Sequence, residues 1–161
     1  MTEPGPLSRD PSSLSNPDEV HITHLSWDAT VDFDKCQFFA KATYDVKVVA
    51  ESTPTSLCLD TSNLDIRSVT VDGIAATFSL SVPDATKPHL GSCLEIDLGA
   101  LYPHGIPMGR DKISVEIQYA TSPSASAAQW LPPAQTAGKK FPYVFSACFV
   151  SLFLSVANTS F

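Results

Sequence analysis

The feature that most constrains the fold is a two-residue alternation of apolar and polar side chains early in the chain. Apolar residues occupy every second position over 25–33 and again over 38–48. Because successive side chains of a β-strand point to opposite faces of the sheet, this period predicts two strands, each with one buried face. The short connection around Asp34 and Lys35 predicts that the two strands form an antiparallel hairpin.

Further short apolar runs predict about five more strands, at 57–59, 66–71, 76–80, 94–98 and 113–119. The dipeptide Asp72-Gly73 predicts a hairpin turn between the second and third of these, because glycine readily adopts positive φ. The 13 prolines disfavour long helices. A lone sheet would leave its apolar face in water, so we expect an all-β fold, an antiparallel β-sandwich or a saddle-like curved sheet.

Charge and cysteine usage exclude several functional classes. The formal charge of −7 disfavours binding to nucleic acid or to anionic membranes. The four cysteines, at positions 36, 58, 93 and 148, form no C-x-x-C pair and are expected to be small buried residues. The acidic N-terminus does not resemble a secretory signal, so we expect a cytoplasmic protein with reduced thiols.

Composition divides the chain into segments. Residues 1–18 are rich in proline and serine and are predicted to be a disordered leader. Residues 120–142 contain four prolines and are predicted to be an irregular loop. From Tyr143 onward we expect a buried strand and then an apolar tail, whose longest run of about 15 residues falls short of the roughly 18 needed for a membrane span.

Candidates for catalysis or metal binding are weak. Asp60 stands in an Asp-Thr-Ser turn, as in aspartic proteases, but no second such turn supplies the partner carboxylate. His21 and His24 are three residues apart and are therefore expected on opposite faces of a strand. His89 and His104 have no further ligands at metal-binding spacing and are predicted to be exposed loop residues. A hydrolase built on Asp60 or the histidines is the least favoured reading, and no metal site is predicted.

One residue in the proline-rich segment is unusual. Trp130, which follows Gln129, is interpreted either as an anchor that fixes this segment to the sheet or as part of a docking surface. The neighbouring Lys139-Lys140 pair is too short for a basic binding patch.

The same segment carries a family resemblance. Residues 124–148, SASAAQWLPPAQTAGKKFPYVFSAC, resemble the stretch S-A-L-Q-W-L-x-P-x-Q-T-x-G-K-x-x-P-Y-x-F-S-Q-C-Q of leukotriene A-4 hydrolase and its aminopeptidase relatives. Weaker similarity extends upstream to about residue 20. The matching positions are Gln129, Trp130, Leu131, Pro133, Gln135, Thr136, Gly138, Lys139, Pro142, Tyr143, Phe145, Ser146 and Cys148.

The resemblance implies that residues 19–148 form the β-sandwich N-terminal domain of an aminopeptidase N-like zinc enzyme. In that family the glutamines flanking the matching cysteine line the peptide-substrate channel, whereas Ala147 and Phe149 flank Cys148 here. Cys148 is therefore the single substrate-binding position that the resemblance carries over. The family's zinc site, H-E-x-x-H with a later Glu, has no counterpart in the sequence, so no cofactor is expected in this chain.

Two functions follow as expectations. The first is a non-catalytic N-terminal domain, from a truncated product, that packs on the family's catalytic domain and borders its substrate channel. Residues 149–161 would then be a divergent apolar tail. The alternative is an interaction module that binds the full-length enzyme or another protein, with the apolar tail as a candidate for self-association.

Overall fold

The structure is a computed structural model that describes residues 11–49, 54–87, 90–106, 112–125 and 128–146. Within these ranges the regular structure is almost entirely β, with one short 3-10 turn over Pro133–Gln135. The strands are β1 (Val20–Asp32), β2 (Gln37–Val48), β3 (Ser56–Thr61), β4 (Leu64–Val71), β5 (Ile74–Ala75), β6 (Phe78–Leu80), β7 (Ser92–Asp97), β8 (Ile113–Thr121), β9 (Ala128–Leu131) and β10 (Tyr143–Ser146).

The strands form three antiparallel sheets. The largest has the order β1-β2-β8-β4-β5, a second has the order β3-β7-β6, and β9 pairs with β10 alone. The predicted β1–β2 hairpin is confirmed by a ladder that runs from Val20 opposite Val48 to Asp32 opposite Gln37. No helix in the described ranges is long and apolar enough to cross a bilayer.

The core contains residues from the two larger sheets. Inward-facing residues of β2, β4 and β8 form one hydrophobic cluster with those of β3 and β7. Burying each large apolar side chain contributes about 1.5–3 kcal/mol, which is the physical basis of the predicted all-β, two-layer fold. That prediction is confirmed. The fully buried aliphatic members are Val46, Leu57, Leu59, Val71, Leu94, Ile96, Leu98, Ile113, Val115 and Ile117.

The Asp72-Gly73 turn is confirmed, but its second strand differs from the prediction. Asp72 and Gly73 have φ of 51° and 80°, so both central residues have the positive φ of a type I′ hairpin turn. The strand that returns along β4 is the two-residue β5. The predicted strand over 76–80 is shorter, and as β6 it joins β7 in the other sheet.

The predicted irregular loop over 120–142 is wrong in part, because this stretch contains the end of β8 and the whole of β9. Strand β9 pairs with β10 from Ala128 opposite Ser146 to Leu131 opposite Tyr143. The ladder is possible because the prolines flank the strands, where no ladder hydrogen bond is needed. Strand β10 was predicted to be buried, but Tyr143 and Phe145 are exposed.

The second half of the predicted leader contacts the fold. Leu14 N and Ser13 Oγ donate hydrogen bonds to the Asp60 carboxylate on β3, at 2.7 and 2.6 Å. Asn16 Oδ1 accepts from Cys58 N at 2.9 Å, and Asn16 Nδ2 donates to the Ser56 carbonyl at 3.0 Å. We call residues 13–16 the strap. The disorder expected over 1–18 therefore does not describe the strap, whereas residues 1–10 lie outside the described ranges.

Candidate functional site

The predicted substrate-binding position lies outside the described residues. Cys148 and its neighbours Ala147 and Phe149 follow β10 directly in the sequence, and their role stays a prediction. The apolar tail over 149–161 lies outside the described residues as well. The nearest described positions are those of the β9–β10 hairpin.

Asp60 serves to hold the strap on β3, and its surroundings are not those of a catalytic carboxylate. Its two carboxylate oxygens accept from Ser13 Oγ and Leu14 N, so both oxygens hold the strap. An aspartic dyad needs a second carboxylate within proton-sharing distance. Nothing in the hydrogen bonds of Asp60 indicates such a partner.

The predicted separation of the two N-terminal histidines is wrong. The register of β1 on β2 shifts between Ile22 and His24, so Thr23 is an additional residue in a β-bulge. His21 then lies opposite Lys47 and His24 opposite Asp45, two positions that share one face of β2. Both imidazoles are therefore on the outer, exposed face, because cross-strand partners point to the same side.

The described residues of this outer face do not form a metal site. An open cavity of about 720 Å³ next to the bulge includes His24, and Asp45 there already pairs with Lys112 Nζ at 3.0 Å. In the described part of the chain no three His, Cys, Asp or Glu side chains come together as metal ligands. The family's zinc therefore has no fitting ligand set among these residues, and we derive no step through it. His104 lies in an exposed loop as predicted, and His89 is not among the described residues.

Trp130 is an anchor. Its ring lies 5.7 Å from that of Phe33 in an edge-on contact and 5.3 Å from that of Phe38, measured between ring centroids. Phe38 also contacts Trp27, at 6.3 Å between ring centroids. These aromatic rings therefore join the β9–β10 hairpin to the large sheet. Of the two predicted roles for Trp130, the structure supports the anchor.

The described residues also expose an apolar surface on β1. Leu25, Trp27 and Val31 lie opposite Tyr44, Ala42 and Phe38, so they point to the core side of the sheet. They and Phe33 remain 39–43% exposed, although the alternation predicted a buried face. We call Leu25, Trp27, Val31 and Phe33 the β1 stripe. Trp27 is oriented by a hydrogen bond from its Nε1 to Tyr119 Oη at 2.9 Å.

A second exposed surface lies on the β9–β10 hairpin. Tyr143 is opposite Leu131, and Phe145 is opposite Gln129, so these four side chains share the face turned away from Trp130. Tyr143 and Phe145 are exposed, and their rings lie 6.5 Å apart. We call these four residues the hairpin face. Sequence reasoning missed it because the segment was expected to have no ladder.

The described cysteines are half-buried and not fully buried as predicted. Cys58 on β3 and Cys93 on β7 lie close to each other beneath the strap. A hydrogen bond with the Cys58 thiol, together with burial, raises the pKa of the Cys93 thiol well above its usual range. Cys36 lies in the β1–β2 turn, where its Sγ is 3.7 Å from the Phe33 carbonyl.

Comparison with known proteins identifies the relatives of this fold. Leucine aminopeptidase 2 of Yarrowia lipolytica is 43% identical over 142 residues, which cover 87% of this chain and 20% of that protein. Leukotriene A-4 hydrolase of Xenopus laevis is 41% identical over 139 residues, 86% of this chain and 21% of that protein. The chain is a homologue of the leukotriene A-4 hydrolases and leucine aminopeptidases. It spans about one fifth of the length of these curated relatives.

Solved structures agree with these relatives. Yeast LTA4 hydrolase in complex with bestatin superposes with a TM-score of 0.76 at 31% identity, covering 96% of this chain and 23% of that one. The M1 zinc metallopeptidase from Deinococcus radiodurans has a TM-score of 0.50 at 15% identity over 67% of this chain and 22% of that one, which shows a shared fold. The resemblance to the N-terminal domain of these enzymes is thereby confirmed. No protein-family model matches the chain.

Proposed function

We propose that this chain acts as the non-catalytic N-terminal β-domain of a zinc aminopeptidase related to leukotriene A-4 hydrolase, and that it packs on the catalytic domain of such an enzyme. The chain matches the N-terminal region of these relatives, at 43% identity in the highest example given above. The observation that carries the docking role is the β1 stripe. Large apolar side chains on the core side of a sheet are ordinarily covered, and exposed apolar patches mark interaction surfaces.

The shape of the stripe suits a domain interface. Leu25, Trp27 and Val31 lie on β1, and Phe33, which follows β1 directly, contacts Trp130 of the β9–β10 hairpin. Interfaces between domains of one chain bury about 600–1,500 Å² and are more polar than obligate interfaces. The four large apolar side chains of the stripe would supply the apolar part of such an interface, because the polar residues that alternate with them, such as Asp28 and Asp32, point to the opposite face of the sheet.

We further propose that the hairpin side of the domain borders the substrate channel. Cys148 follows β10 by two residues, and the relatives of this segment bind peptide substrate there according to the family resemblance. Alanine and phenylalanine at 147 and 149 have no side-chain amide, so this wall would bind a peptide without hydrogen bonds from those side chains. We place this function in the cytoplasm.

The docking role is tested with variants of adjacent residues on β1. In Val31→Lys, a charge is placed in the stripe. In the control Thr30→Lys, the same charge is placed on an exposed residue of the same strand that points to the other face. Binding to the catalytic region of the Yarrowia or Xenopus relative is measured by titration calorimetry. We expect Val31→Lys to weaken binding at least about tenfold, which corresponds to roughly 1.4 kcal/mol, and Thr30→Lys to leave it unchanged. Equal effects of the two variants would refute docking through the stripe.

The non-catalytic role is tested directly. Purified protein with added zinc is offered an aminoacyl-nitroanilide and, separately, an epoxide lipid. We expect no turnover above a blank without protein. Turnover that survives Asp60→Asn, His21→Ala and His24→Ala would show that a group not considered above is catalytic.

An alternative function is an interaction module that binds the full-length enzyme or another protein. The observation in its favour is the position of β1, a 13-residue strand at the edge of the large sheet. An edge strand can pair with an extended segment of a partner through its backbone. A pull-down with the intact relative, beside one with its catalytic region alone, separates the two functions. Binding to the catalytic region alone favours the domain role, whereas binding to the intact enzyme, whose own N-terminal domain is in place, favours the module.

A further inference from the structure

Two cysteines of neighbouring strands lie together on the outer face of the small sheet. Cys93 on β7 is directly opposite Asp60, and Cys58 on β3 is directly opposite Glu95. The two cysteines are therefore diagonal neighbours on one face, since residues two apart along a strand point the same way. The alternate positions Leu57, Leu59, Leu94 and Ile96 point into the core, so this face lies away from it.

The strap covers this pair. Cys93 Sγ lies 3.9 Å from the Leu14 carbonyl oxygen, and Cys58 donates its backbone N–H to Asn16 Oδ1 at 2.9 Å. Ser56 Oγ approaches Cys58 Sγ at 3.9 Å from the other side. Both cysteines are half-buried, so they are sheltered by the strap but still partly exposed to solvent.

The surroundings of Cys93 favour its protonated thiol. The hydrogen bond with Cys58 and burial both raise the pKa of Cys93, and the nearby Asp60 and Glu95 charges act in the same direction. Because the thiolate is the attacking species in exchange reactions, one thiol of the pair must lose its proton before exchange can begin.

We propose that Cys58 and Cys93 form a dithiol modification site that reacts as a unit with a low-molecular-weight disulfide such as glutathione disulfide. The thiolate of one cysteine of the pair attacks one sulfur of that disulfide, so that a mixed disulfide forms and one glutathione thiolate leaves. The other cysteine then loses its proton to solvent and attacks the protein sulfur of the mixed disulfide, which releases the second glutathione thiolate. The two protein thiols are oxidised by two electrons, and the glutathione disulfide is reduced to two thiols.

The geometry indicates that the resulting bond is reversible. Diagonal neighbours in an antiparallel pair have Cα atoms about 7–8 Å apart, whereas disulfides usually join Cα atoms about 4.4–6.8 Å apart. Closing the bond therefore requires a small movement of β3 against β7. Disulfides formed with such strain are reduced more easily than structural ones, so reduced glutathione should reopen this one.

The test uses the full chain with Cys36→Ser and Cys148→Ser, which leaves only the proposed pair. The protein is incubated with glutathione disulfide, quenched in acid, alkylated and mapped by mass spectrometry. We expect one intramolecular Cys58–Cys93 cross-link with the loss of two hydrogens, and its reversal by reduced glutathione. In the further variants Cys58→Ser or Cys93→Ser, we expect the remaining cysteine to carry glutathione instead.

A second measurement does not depend on oxidation. Phenylarsine oxide binds tightly only where two thiols can bridge one arsenic atom, so we expect one equivalent to bind the two-cysteine chain and none to bind either single-cysteine variant. Circular dichroism of each variant shows whether it has folded. Two glutathiones on one chain, an intermolecular cross-link, or no reaction at the pair while wild-type Cys36 is modified would each overturn the proposal. If the two-cysteine chain is folded but binds no phenylarsine oxide, the proposal is overturned as well.

Discussion

Strands β8 and β1 have the same alternating pattern, yet the apolar side chains of the β1 stripe are exposed where those of β8 are buried. Ile113, Val115 and Ile117 of β8 are at most 1% exposed, whereas the residues of the β1 stripe are 39% exposed or more. Strand β8 lies between β2 and β4 and beneath the small sheet, while β1 has β2 as its one neighbour among the described strands. Alternation therefore determines the face of a side chain, and neighbouring elements determine whether that face is buried.

The largest expected effect is in β8. Ile117→Ala should lower the free energy of unfolding by about 2–5 kcal/mol, because the side chain is fully buried and its removal leaves a cavity. Urea unfolding followed by circular dichroism measures this change. A loss below about 1 kcal/mol would mean that the core collapses into the space and that the contrast with β1 is smaller than the burial indicates.

The next effect is a loss of stability in alkali that comes from the core tyrosines. Burial raises the pKa of Tyr44, with a further contribution from the Tyr119 charge, and burial also raises the pKa of Tyr119. The unfolded chain loses these protons near pH 10, whereas the folded chain keeps them, so the unfolded state binds fewer protons above that pH. Stability is thus fully present below pH 10 and falls above it by about 1.4 kcal/mol per pH unit for each tyrosine.

Urea unfolding over a series of pH values from about 9 to 11 measures this slope. Tyr44→Phe should reduce the slope of the unfolding free energy against pH by roughly the contribution of one tyrosine. An unchanged slope in that variant would show that Tyr44 titrates alike in the folded and unfolded states.

A smaller effect is expected where the hairpin meets the sheet. Trp130→Ala removes two aromatic contacts, with Phe33 and Phe38, each worth about 0.5–1.5 kcal/mol. We expect the hairpin to detach more often while the core persists, and trypsin to cut faster at the exposed Lys139 and Lys140. Phe145→Ala, on the exposed side of the same hairpin, is the control and should leave the cleavage rate nearly unchanged. Equal rates for both variants would contradict the anchor role.

The smallest effect is expected in the β1 stripe. Val31→Thr should change the free energy of unfolding by less than about 0.5 kcal/mol, because the side chain is already partly in water. Thermal unfolding beside Ile117→Ala gives the direct comparison. A loss near that of the core variant would show that the stripe is covered in solution, for example by another copy of the chain, which a sizing column would detect.

Most of the strands and the inward faces of β2, β3, β7 and β8 could be predicted from the sequence, and so could the Asp72-Gly73 turn, because these depend on local periodicity and backbone preference. The bulge at Thr23 could not, since an inserted residue leaves no sign in residue type and yet moves His21 to the face of His24. The β9–β10 ladder was missed because proline content was averaged over the whole segment, although the prolines lie outside the strands.

Features that depend on distant parts of the chain were beyond sequence reasoning. Asp60 was considered as a catalytic candidate, but it accepts hydrogen bonds from the strap. The donors, Ser13 and Leu14, lie 47 and 46 positions earlier in the chain. The closeness of Cys58 and Cys93 depends on the register of β3 on β7, which spacing alone does not give. The family resemblance, in contrast, could be recognised because residue identities within 124–148 match in register.

The strap also has a consequence for how the domain assembles. Its hydrogen bonds to β3 close a loop of more than 40 residues that contains the whole β1–β2 hairpin, so the strap can bind only after β3 has a formed surface. The amide proton of Leu14, held by Asp60, should then be among the last to gain protection from solvent exchange during refolding. The time at which this proton becomes protected would therefore mark the completion of the native state.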